Sequence, residues 1–215
     1  MTEQQDHFAN FEDVISRLDE IREQIGGPVP PVVAKVMDHI DPVSRAIIEK
    51  SPFIVMASAT ADGYPDISPK GDPVGFVRVL GEHYLAIPDR PGNRRVDTFQ
   101  NILENPYLAI LFVIPGKGET LRVTGETRIV RDRTLRESMA VDSHVPEFAI
   151  VMHVERVLIH CPKCVLRAKL WQPEQWPDSS KTAGIAAAMI AHAKLDTTPE
   201  ELEALAQREG LTRLY

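Results

Sequence analysis

The chain has 215 residues, of which 43% are hydrophobic and 26% charged, and its formal net charge is −7 at pH 7. This acidic balance argues against general nucleic-acid binding, which needs a broad basic surface. The sequence contains no apolar run long enough to cross a bilayer, residues 1–11 are too polar for a secretory signal, and two cysteines are too few for a disulfide framework. We therefore expect a cytoplasmic protein without membrane or nucleic-acid partners.

The first fifty residues are predicted to be helical. Apolar side chains recur at spacings of three and four over residues 8–25, which is typical of an amphipathic helix, and Gly26-Gly27-Pro28 would end it. A second short helix is predicted over residues 31–40. A third would begin at Asp41-Pro42, where an N-cap residue precedes a proline at the first helical position, and would end before Ser51.

The middle of the chain has the pattern of antiparallel β-structure. Apolar or alternating segments predict strands over residues 53–58, 75–80, 83–87, 107–114, 120–130 and 149–160. Asp62-Gly63 marks one turn, and Gly81-Glu82 suits a two-residue hairpin loop. One helix is predicted here, over residues 96–103. Strands at short intervals with tight turns indicate a small antiparallel barrel.

Helical patterns return after Trp171. Residues 180–194 are rich in alanine, and Thr198-Pro199-Glu200-Glu201 forms a capping box with proline at the first helical position. We therefore divide the chain into an N-terminal helical arm (residues 1–50), a β-domain (residues 51–171) and a C-terminal helical extension (residues 172–215). The predicted fold class is mainly β with helical additions, that is, α+β.

A basic cluster interrupts the acidic chain between residues 66 and 95. Lys70 lies beside Gly71 after a strand, and Arg94 and Arg95 come just before the helix predicted at Val96. Guanidinium groups match phosphate oxygens two at a time, and the free amides of a helix N-terminus add partial positive charge. The cluster therefore predicts a specific anion site, most simply for a phosphate. If the two arginines stood alone, a solvated helix start would be the better interpretation.

Four sequence motifs, taken in order, resemble the pyridoxamine 5′-phosphate oxidase-like flavoproteins, and more closely a subgroup of FMN-dependent enzymes. The motifs are ISPKGDP at residues 67–73, IPDRPGNRRVDT at residues 87–98, NP at residues 105–106 and GETLRVTG at residues 118–125. Their order and spacing match the family from about Ser51 to Trp171. The resemblance implies a split β-barrel that forms a homodimer, with two FMN sites between the subunits.

The resemblance also implies which residues bind the cofactor. The strand at residues 66–70 would lie along the isoalloxazine ring, Arg94 and Arg95 would hold the phosphate with Asn93 as a further donor, and one side chain would reach the cofactor from a neighbouring strand. The complete set is Asp66, Ile67, Ser68, Lys70, Ile87, Pro88, Asn93, Arg94, Arg95 and Thr120.

Two departures separate the chain from the oxidase itself. Pro65 stands near a position where the oxidase has arginine, and residues 172–174 replace a basic substrate-binding run. Oxidation of pyridoxamine phosphate is therefore not expected, and the substrate stays open. Relatives often carry a Lys…Arg…Trp pattern similar to Lys163, Arg167 and Trp171, which would close over the flavin or the substrate. A helix that packs through its tryptophan is an equally good interpretation of these three residues.

Several other polar residues allow more than one interpretation. Cys161 and Cys164 form a Cys-x-x-Cys motif, but the parallel βαβ context of a redox motif and a second pair of metal ligands are both missing. Two buried or partly buried thiols are preferred, and no metal site is predicted. Asp72 and Asp97 suit acid–base roles and turn or cap roles equally well. No catalytic residue is predicted.

Two functions are compatible with these features. The first is a homodimeric FMN-dependent oxidoreductase, in which hydride from NADH, NADPH or the substrate itself reaches the flavin and passes to an acceptor. The second is a non-catalytic protein of the same fold that binds a flavin or deazaflavin for storage, sensing or delivery, and the lack of an obvious catalytic residue favours it. A third interpretation gives the basic cluster a role in the dimer interface alone.

Overall fold

The computed structural model describes residues 7–215, so the first six residues of the polar stretch 1–11 lie outside it. The chain forms two compact units, one ending at Lys35 and the other comprising Val36–Tyr215. The helices are α1 (Leu18–Ile25), α2 (Pro30–Ala34), α3 (Pro42–Lys50), α4 (Asp97–Glu104), α5 (Arg133–Ser138), α6 (Lys163–Ala168), α7 (Ile185–Ala193) and α8 (Pro199–Arg208), with a 3₁₀ turn at Pro173–Gln175. The predicted domain boundaries at residues 50 and 171 stay a prediction.

The strands are β1 (Phe53–Ala59), β2 (Pro65–Gly71), β3 (Arg78–Val79), β4 (Tyr84–Pro88), β5 (Tyr107–Val113), β6 (Thr120–Val130) and β7 (Ala149–His160). They form one antiparallel sheet in the order β2-β1-β5-β6-β7-β4-β3. The predicted mainly β fold with helical additions is confirmed. Within residues 7–215, none of the helices combines the length and apolar character needed to span a bilayer.

The first unit is less helical than predicted. α1 ends as expected at Gly26, whose φ is 72° and whose N–H donates to the Arg22 carbonyl oxygen. The predicted start at residue 8 is wrong, because Asp13 has a left-handed φ of 52° and the helix begins only at Leu18.

The second and third helices differ in how well they were predicted. α2 ends at Ala34 and not near residue 40, because Met37 already forms a β-bridge with Val157. α3 has the predicted cap: the Asp41 carboxylate accepts a hydrogen bond from the Ser44 N–H, Nα–Oδ1 2.8 Å.

The core lies on one face of the sheet. β1 and β5 bury every second residue, so Ile54, Met56 and Phe112 are at most 1% exposed, and α3 adds Ile48 to the same cluster. Removing one such side chain from water contributes about 1.5–3 kcal/mol. The hydrophobic core therefore fixes the strands that surround the candidate site.

A β-bulge between β6 and β7 keeps β7 facing the core along its whole length. The register shifts between Thr124 and Gly125, so one residue of β7 is extra. Before the bulge the buried residues of β7 include Met152 and Val154, and after it Val157 is buried. Gly125 is required there, because an added Cβ would lie 1.9 Å from the His153 carbonyl oxygen.

The hairpin before the site differs from the prediction in two respects. β3 spans two residues, not residues 75–80, because Gly75 has a left-handed φ of 84° and the Phe76 N–H donates to the Pro73 carbonyl oxygen at 3.1 Å, which makes this stretch a turn. The loop has three residues, not two, since the Leu80 N–H bonds to the Tyr84 carbonyl oxygen.

The C-terminal helices are shorter than their sequence patterns. α6 ends at Ala168 because Lys169 has a left-handed φ of 50°, and α7 covers nine residues of the predicted 180–194 and ends in the same way at Lys194. α8 has the predicted capping box at Thr198, and it packs against α7. α5 was not predicted.

Candidate functional site

A cavity of about 640 Å³ lies between the edge strand β2, the loop after β4 and the start of α4. Its wall comprises residues 66–71 and 87–99, together with Met56 and Ile150. These are the two segments that carry the basic cluster. The fold therefore brings together residues that are about twenty positions apart in the sequence.

Strand alternation places three polar side chains on one face of β2. Asp66, Ser68 and Lys70 pair with buried residues of β1, while the residues between them face outward. The Lys70 ammonium donates to Ser68 Oγ at 2.5 Å. Burial lowers the pKa of Lys70 below its ordinary value, and the carboxylates of Asp89 and Asp66 partly oppose that shift. Lys70 is thus a partly desolvated positive charge in the cavity wall.

Asp89 is a candidate residue that the sequence interpretation missed. It follows β4, lines the same cavity and is partly buried, and its N–H donates to the Phe148 carbonyl oxygen at 3.0 Å. Burial raises the pKa of Asp89, while the positive charge of Lys70 partly opposes the shift. The signal in the sequence was an aspartate directly after a buried strand, at a position where strand ends often carry polar site residues.

The two arginines at the cavity rim are engaged with carboxylates of the chain. Arg95 Nε lies 2.7 Å from Asp97 Oδ2, and Arg94 Nη1 lies 3.7 Å from Glu209 Oε2. Arg94 also donates to the Glu209 carbonyl oxygen at 2.6 Å. Both guanidinium groups are mostly exposed, so solvent screens these ion pairs and they contribute little to stability. If an anionic ligand binds, the two arginines would leave these weakly held carboxylates and contact the phosphate oxygens of the ligand.

The loop geometry at this rim is unusual. Arg94 has φ 60° and Val96 has φ 56°, both in the left-handed region. The Arg95 N–H donates to the Asn93 side-chain oxygen at 3.0 Å. α4 begins one residue later than predicted, at Asp97. Backbone strain of this kind is found most often at ligand sites, where the strained residues position particular side chains.

The inner end of the cavity is apolar. Met56, Ile87 and Ile150 are each at most 3% exposed, and the ring of Phe99 packs edge-on against Phe148 at 5.7 Å. The cavity thus has a basic rim and an apolar inner end, an arrangement typical of sites for amphipathic ligands.

Nine of the ten predicted cofactor-binding residues line this one cavity: Asp66, Ile67, Ser68, Lys70, Ile87, Pro88, Asn93, Arg94 and Arg95. The tenth, Thr120, begins β6, pairs with His160 of β7 and is buried away from the cavity wall. Their role in binding stays a prediction.

The predicted Lys163, Arg167 and Trp171 face does not form a continuous helix. α6 contains Lys163 and Arg167 but ends before Trp171. Trp171 instead donates from Nε1 to the Lys117 carbonyl oxygen at 2.8 Å, and none of the three residues lines the cavity.

The two thiols are exposed, which corrects the expectation that they are buried. Cys161 and Cys164 are not joined by a disulfide. Among the described residues, no group of three or more His, Cys, Asp or Glu side chains is arranged to hold a metal ion.

A family model described as pyridoxamine 5′-phosphate oxidase matches residues 40–161, which is more than half of the chain. The chain belongs to this family. The predicted split β-barrel with helical additions is thereby confirmed. The matched segment contains every residue of the cavity wall. No curated protein matches the chain.

Several solved structures are similar to this chain over slightly more than half of its length. HupZ from Group A Streptococcus is 23% identical, with 55% of this chain and 91% of that chain covered and a TM-score of 0.44. A pyridoxamine 5′-phosphate oxidase-related, FMN-binding protein from Nostoc punctiforme is 14% identical, with coverage of 55% and 78% and a TM-score of 0.40. HutZ, the heme storage protein from Vibrio cholerae, is 14% identical, with coverage of 57% and 94% and a TM-score of 0.39. These similarities are too low to transfer a function.

Proposed function

We propose that the chain is a cytoplasmic FMN-dependent oxidoreductase that acts on a small molecule and binds FMN in the cavity between β2 and α4. The observation that carries the proposal is the convergence of Lys70, Arg94 and Arg95 on one cavity of about 640 Å³ in a protein of net charge −7. That volume lies within the range of about 300–1,000 Å³ typical of small-molecule sites.

The polar and apolar parts of the cavity suit the two ends of FMN. Arg94 and Arg95 would bind the phosphate, because guanidinium groups donate two parallel hydrogen bonds to phosphate oxygens. The apolar inner end formed by Met56, Ile87 and Ile150 would contact a flat ring. Lys70 would hold its positive charge against the polar edge of that ring.

The side chains would contribute to the reaction mainly by binding and proton control. Bound FMN would supply the acceptance and release of hydride. Lys70 would attract negative charge in a partly desolvated site, where electrostatic interactions are stronger than in water. Asp89, whose pKa is raised by burial, would be a carboxyl group in the cavity wall placed to accept or release a proton near Lys70.

We also propose that the protein is a homodimer and that the partner subunit completes the site. The outward side chains of β1 and β5 are apolar and face each other in register: Phe53 opposite Val113, Val55 opposite Leu111, and Ala57 opposite Ala109. Ile67 of β2 continues this face beside Ala57, is 68% exposed and also lines the cavity. A contiguous apolar face of this kind favours protein–protein association.

The dimer proposal is tested by placing a charge on that face. Leu111→Asp should convert the protein to a monomer in sedimentation experiments and weaken FMN binding at the same time. Leu166→Asp provides a matched control, because Leu166 is an exposed leucine on α6, outside the face. A Leu111→Asp protein that stays dimeric would contradict the proposed interface.

A second candidate function is a flavin or deazaflavin carrier without turnover. The observation that favours it is the composition of the cavity wall, which among the described residues contains no His, Cys or Tyr. These three residue types are common general acids, bases and nucleophiles. Only the carboxyl groups and Lys70 would then be available for proton transfer.

The visible absorption spectrum of the purified protein, before and after anaerobic addition of NADPH, tests both candidates. A bound flavin spectrum that bleaches with NADPH or NADH supports the oxidoreductase. Binding of FMN and of a deazaflavin should be compared in the same experiment. A flavin spectrum that persists with every reductant and tight, slow exchange supports the carrier. A colourless protein that does not bind added FMN would contradict both.

A further inference from the structure

A second cavity, of about 370 Å³, adjoins the first one at the C-terminal segment. Its wall consists of Pro91, Arg94, His144, Arg208, Glu209, Gly210, Arg213 and Tyr215. It is built by the end of α8, the residues that follow α8 and the loop after β4. Pro91 and Arg94 line both cavities. The two cavities therefore share one guanidinium group.

The second cavity is positively charged. The side chains of its wall include three guanidinium groups, of Arg94, Arg208 and Arg213, and one carboxylate, of Glu209, which is an excess of two positive side-chain charges on a protein of net charge −7. Two carboxylates lie near Tyr215 outside this wall, Asp72 and Asp142, and Arg90 pairs with Asp72 at 2.6 Å. A local excess of positive charge on an acidic protein attracts small anions.

Two of the three guanidinium groups are available to a ligand. Within residues 7–215, the side chains of Arg208 and Arg213 make no hydrogen bond or ion pair. The Arg213 guanidinium lies over Gly210, where an added Cβ would be 3.5 Å from Nε. Gly210 has φ 69°, and in the turn that follows the Arg213 N–H donates to the Gly210 carbonyl oxygen at 3.4 Å, so Arg208 and Arg213 line the same cavity. Each guanidinium group offers five N–H donors and no acceptor.

We propose that the second cavity is a binding site for a phosphate or phosphomonoester group that belongs to a ligand other than the flavin. Arg208 and Arg213 would bind the phosphate oxygens, with the His144 ring as an additional polar contact. The volume exceeds that of a phosphate ion, so part of an organic phosphate would fit as well. Because Arg94 belongs to both cavities, the ligand would lie next to the flavin site. The proposal goes beyond the flavin assignment and does not depend on it.

The site is tested by titrating the full chain with inorganic phosphate and with ribose 5-phosphate, using ribose as the uncharged control. Amide NMR signals of His144 and Gly210 report on the second cavity, and those of Asn93 and Arg95 report on the first. We expect both phosphates, but not ribose, to shift the signals of His144 and Gly210. If ribose 5-phosphate shifts the signals of His144 and Gly210 and inorganic phosphate does not, the natural ligand is an organic phosphate.

Arg208→Ala/Arg213→Ala should raise the dissociation constant for phosphate at the second cavity by about tenfold or more, since charge-assisted contacts are the strongest of their kind. Neither side chain has a partner in the described part of the chain, so the fold should be preserved. The matched control is Arg156→Ala/Lys181→Ala, which removes the same charge from exposed positions outside both cavities. Equal weakening in the two double variants would overturn the proposal.

Arg95→Ala separates the two cavities, because Arg95 lines only the first. This variant should weaken FMN binding and leave the phosphate shifts at Gly210 unchanged. Phosphate shifts confined to Asn93 and Arg95 would overturn the second site. A wild-type protein that takes up no FMN but still binds phosphate at Gly210 would overturn the flavin proposal and support this one.

Discussion

Asp72 and Arg90 form an ion pair that is almost completely shielded from water. Arg90 Nε lies 2.6 Å from Asp72 Oδ2, and the two side chains are 14% and 2% exposed, respectively. Arg90 also donates to the Met139 carbonyl oxygen at 2.8 Å, and the Tyr215 hydroxyl donates to Asp72 Oδ1 at 2.5 Å. The pair joins the residue after β2 to the loop after β4. It therefore holds the two walls of the first cavity together.

Asp72→Ala should destabilise the protein by about 3 kcal/mol, because removing one partner leaves a buried charge uncompensated. The urea midpoint of unfolding measures this loss. FMN binding should weaken as well, since the loop carrying Arg94 and Arg95 loses its attachment. Glu137→Ala is the control: it breaks an ion pair with Arg133 that is largely exposed, and it should change the urea midpoint much less than Asp72→Ala does. Equal losses in the two variants would contradict a structural role for the buried pair.

Lys70→Met should weaken FMN binding about tenfold or more without lowering the thermal midpoint. Burial lowers the pKa of Lys70, which means that its charged form is less well solvated in the folded protein than in the unfolded chain. Methionine removes that cost and keeps a similar length. Flavin fluorescence titration and thermal unfolding give the two readouts. Unchanged FMN affinity would show that Lys70 does not contact the cofactor.

Asp89→Asn should change how stability depends on pH. Burial raises the pKa of Asp89 above that of the unfolded chain, so its stabilising contribution is complete below the ordinary carboxyl pKa and is lost as the pH rises through the raised value. The wild type should therefore gain stability relative to Asp89→Asn when the pH falls from 7 to 4. Urea unfolding at several pH values measures the difference.

Asp41→Asn is the control with the opposite sign. Hydrogen bonds from Ser44 lower the pKa of Asp41, so the contribution of this carboxylate is present above its unfolded pKa and is lost as the pH falls through the lowered value. Asparagine keeps the N-cap. The wild type should lose stability relative to Asp41→Asn as the pH falls below about 4, the ordinary carboxyl pKa. If acidification changed the stability difference between wild type and variant in the same direction for both residues, the raised pKa assigned to Asp89 would be contradicted.

Gly125→Ala should prevent normal folding or cost several kcal/mol, because its Cβ would lie 1.9 Å from the His153 carbonyl oxygen in the β-bulge. Gly27→Ala is the matched control, since nothing lies within 4 Å of a Cβ at that position. Soluble yield and the urea midpoint distinguish the two. A folded Gly125→Ala protein of wild-type stability would show that β6 and β7 can separate there at little cost.

Local sequence patterns predicted the sheet better than the flanking helices. The apolar β5 and the long β7 were found because strand patterns that bury a core persist in the fold, and the Asp41 and Thr198 caps marked real helix starts. The helix predicted over residues 8–25 was too long, because its periodicity did not reveal the left-handed Asp13. Helical periodicity shows which face could be buried, but packing decides how much of the helix forms.

The sequence by itself determined the fold class, the family and the composition of the candidate site. Turn residues, alternating strands and the basic motifs between residues 66 and 95 are local features, and they do not need long-range contacts to be recognised. The tertiary structure alone decided that Asp89 and Lys70 share one cavity wall, that Asp72 pairs with Arg90, and that Arg94 lines two cavities. Each of these relationships joins segments that are distant in the sequence. The pKa values of the groups involved depend on burial, and side chains become buried only when the chain folds.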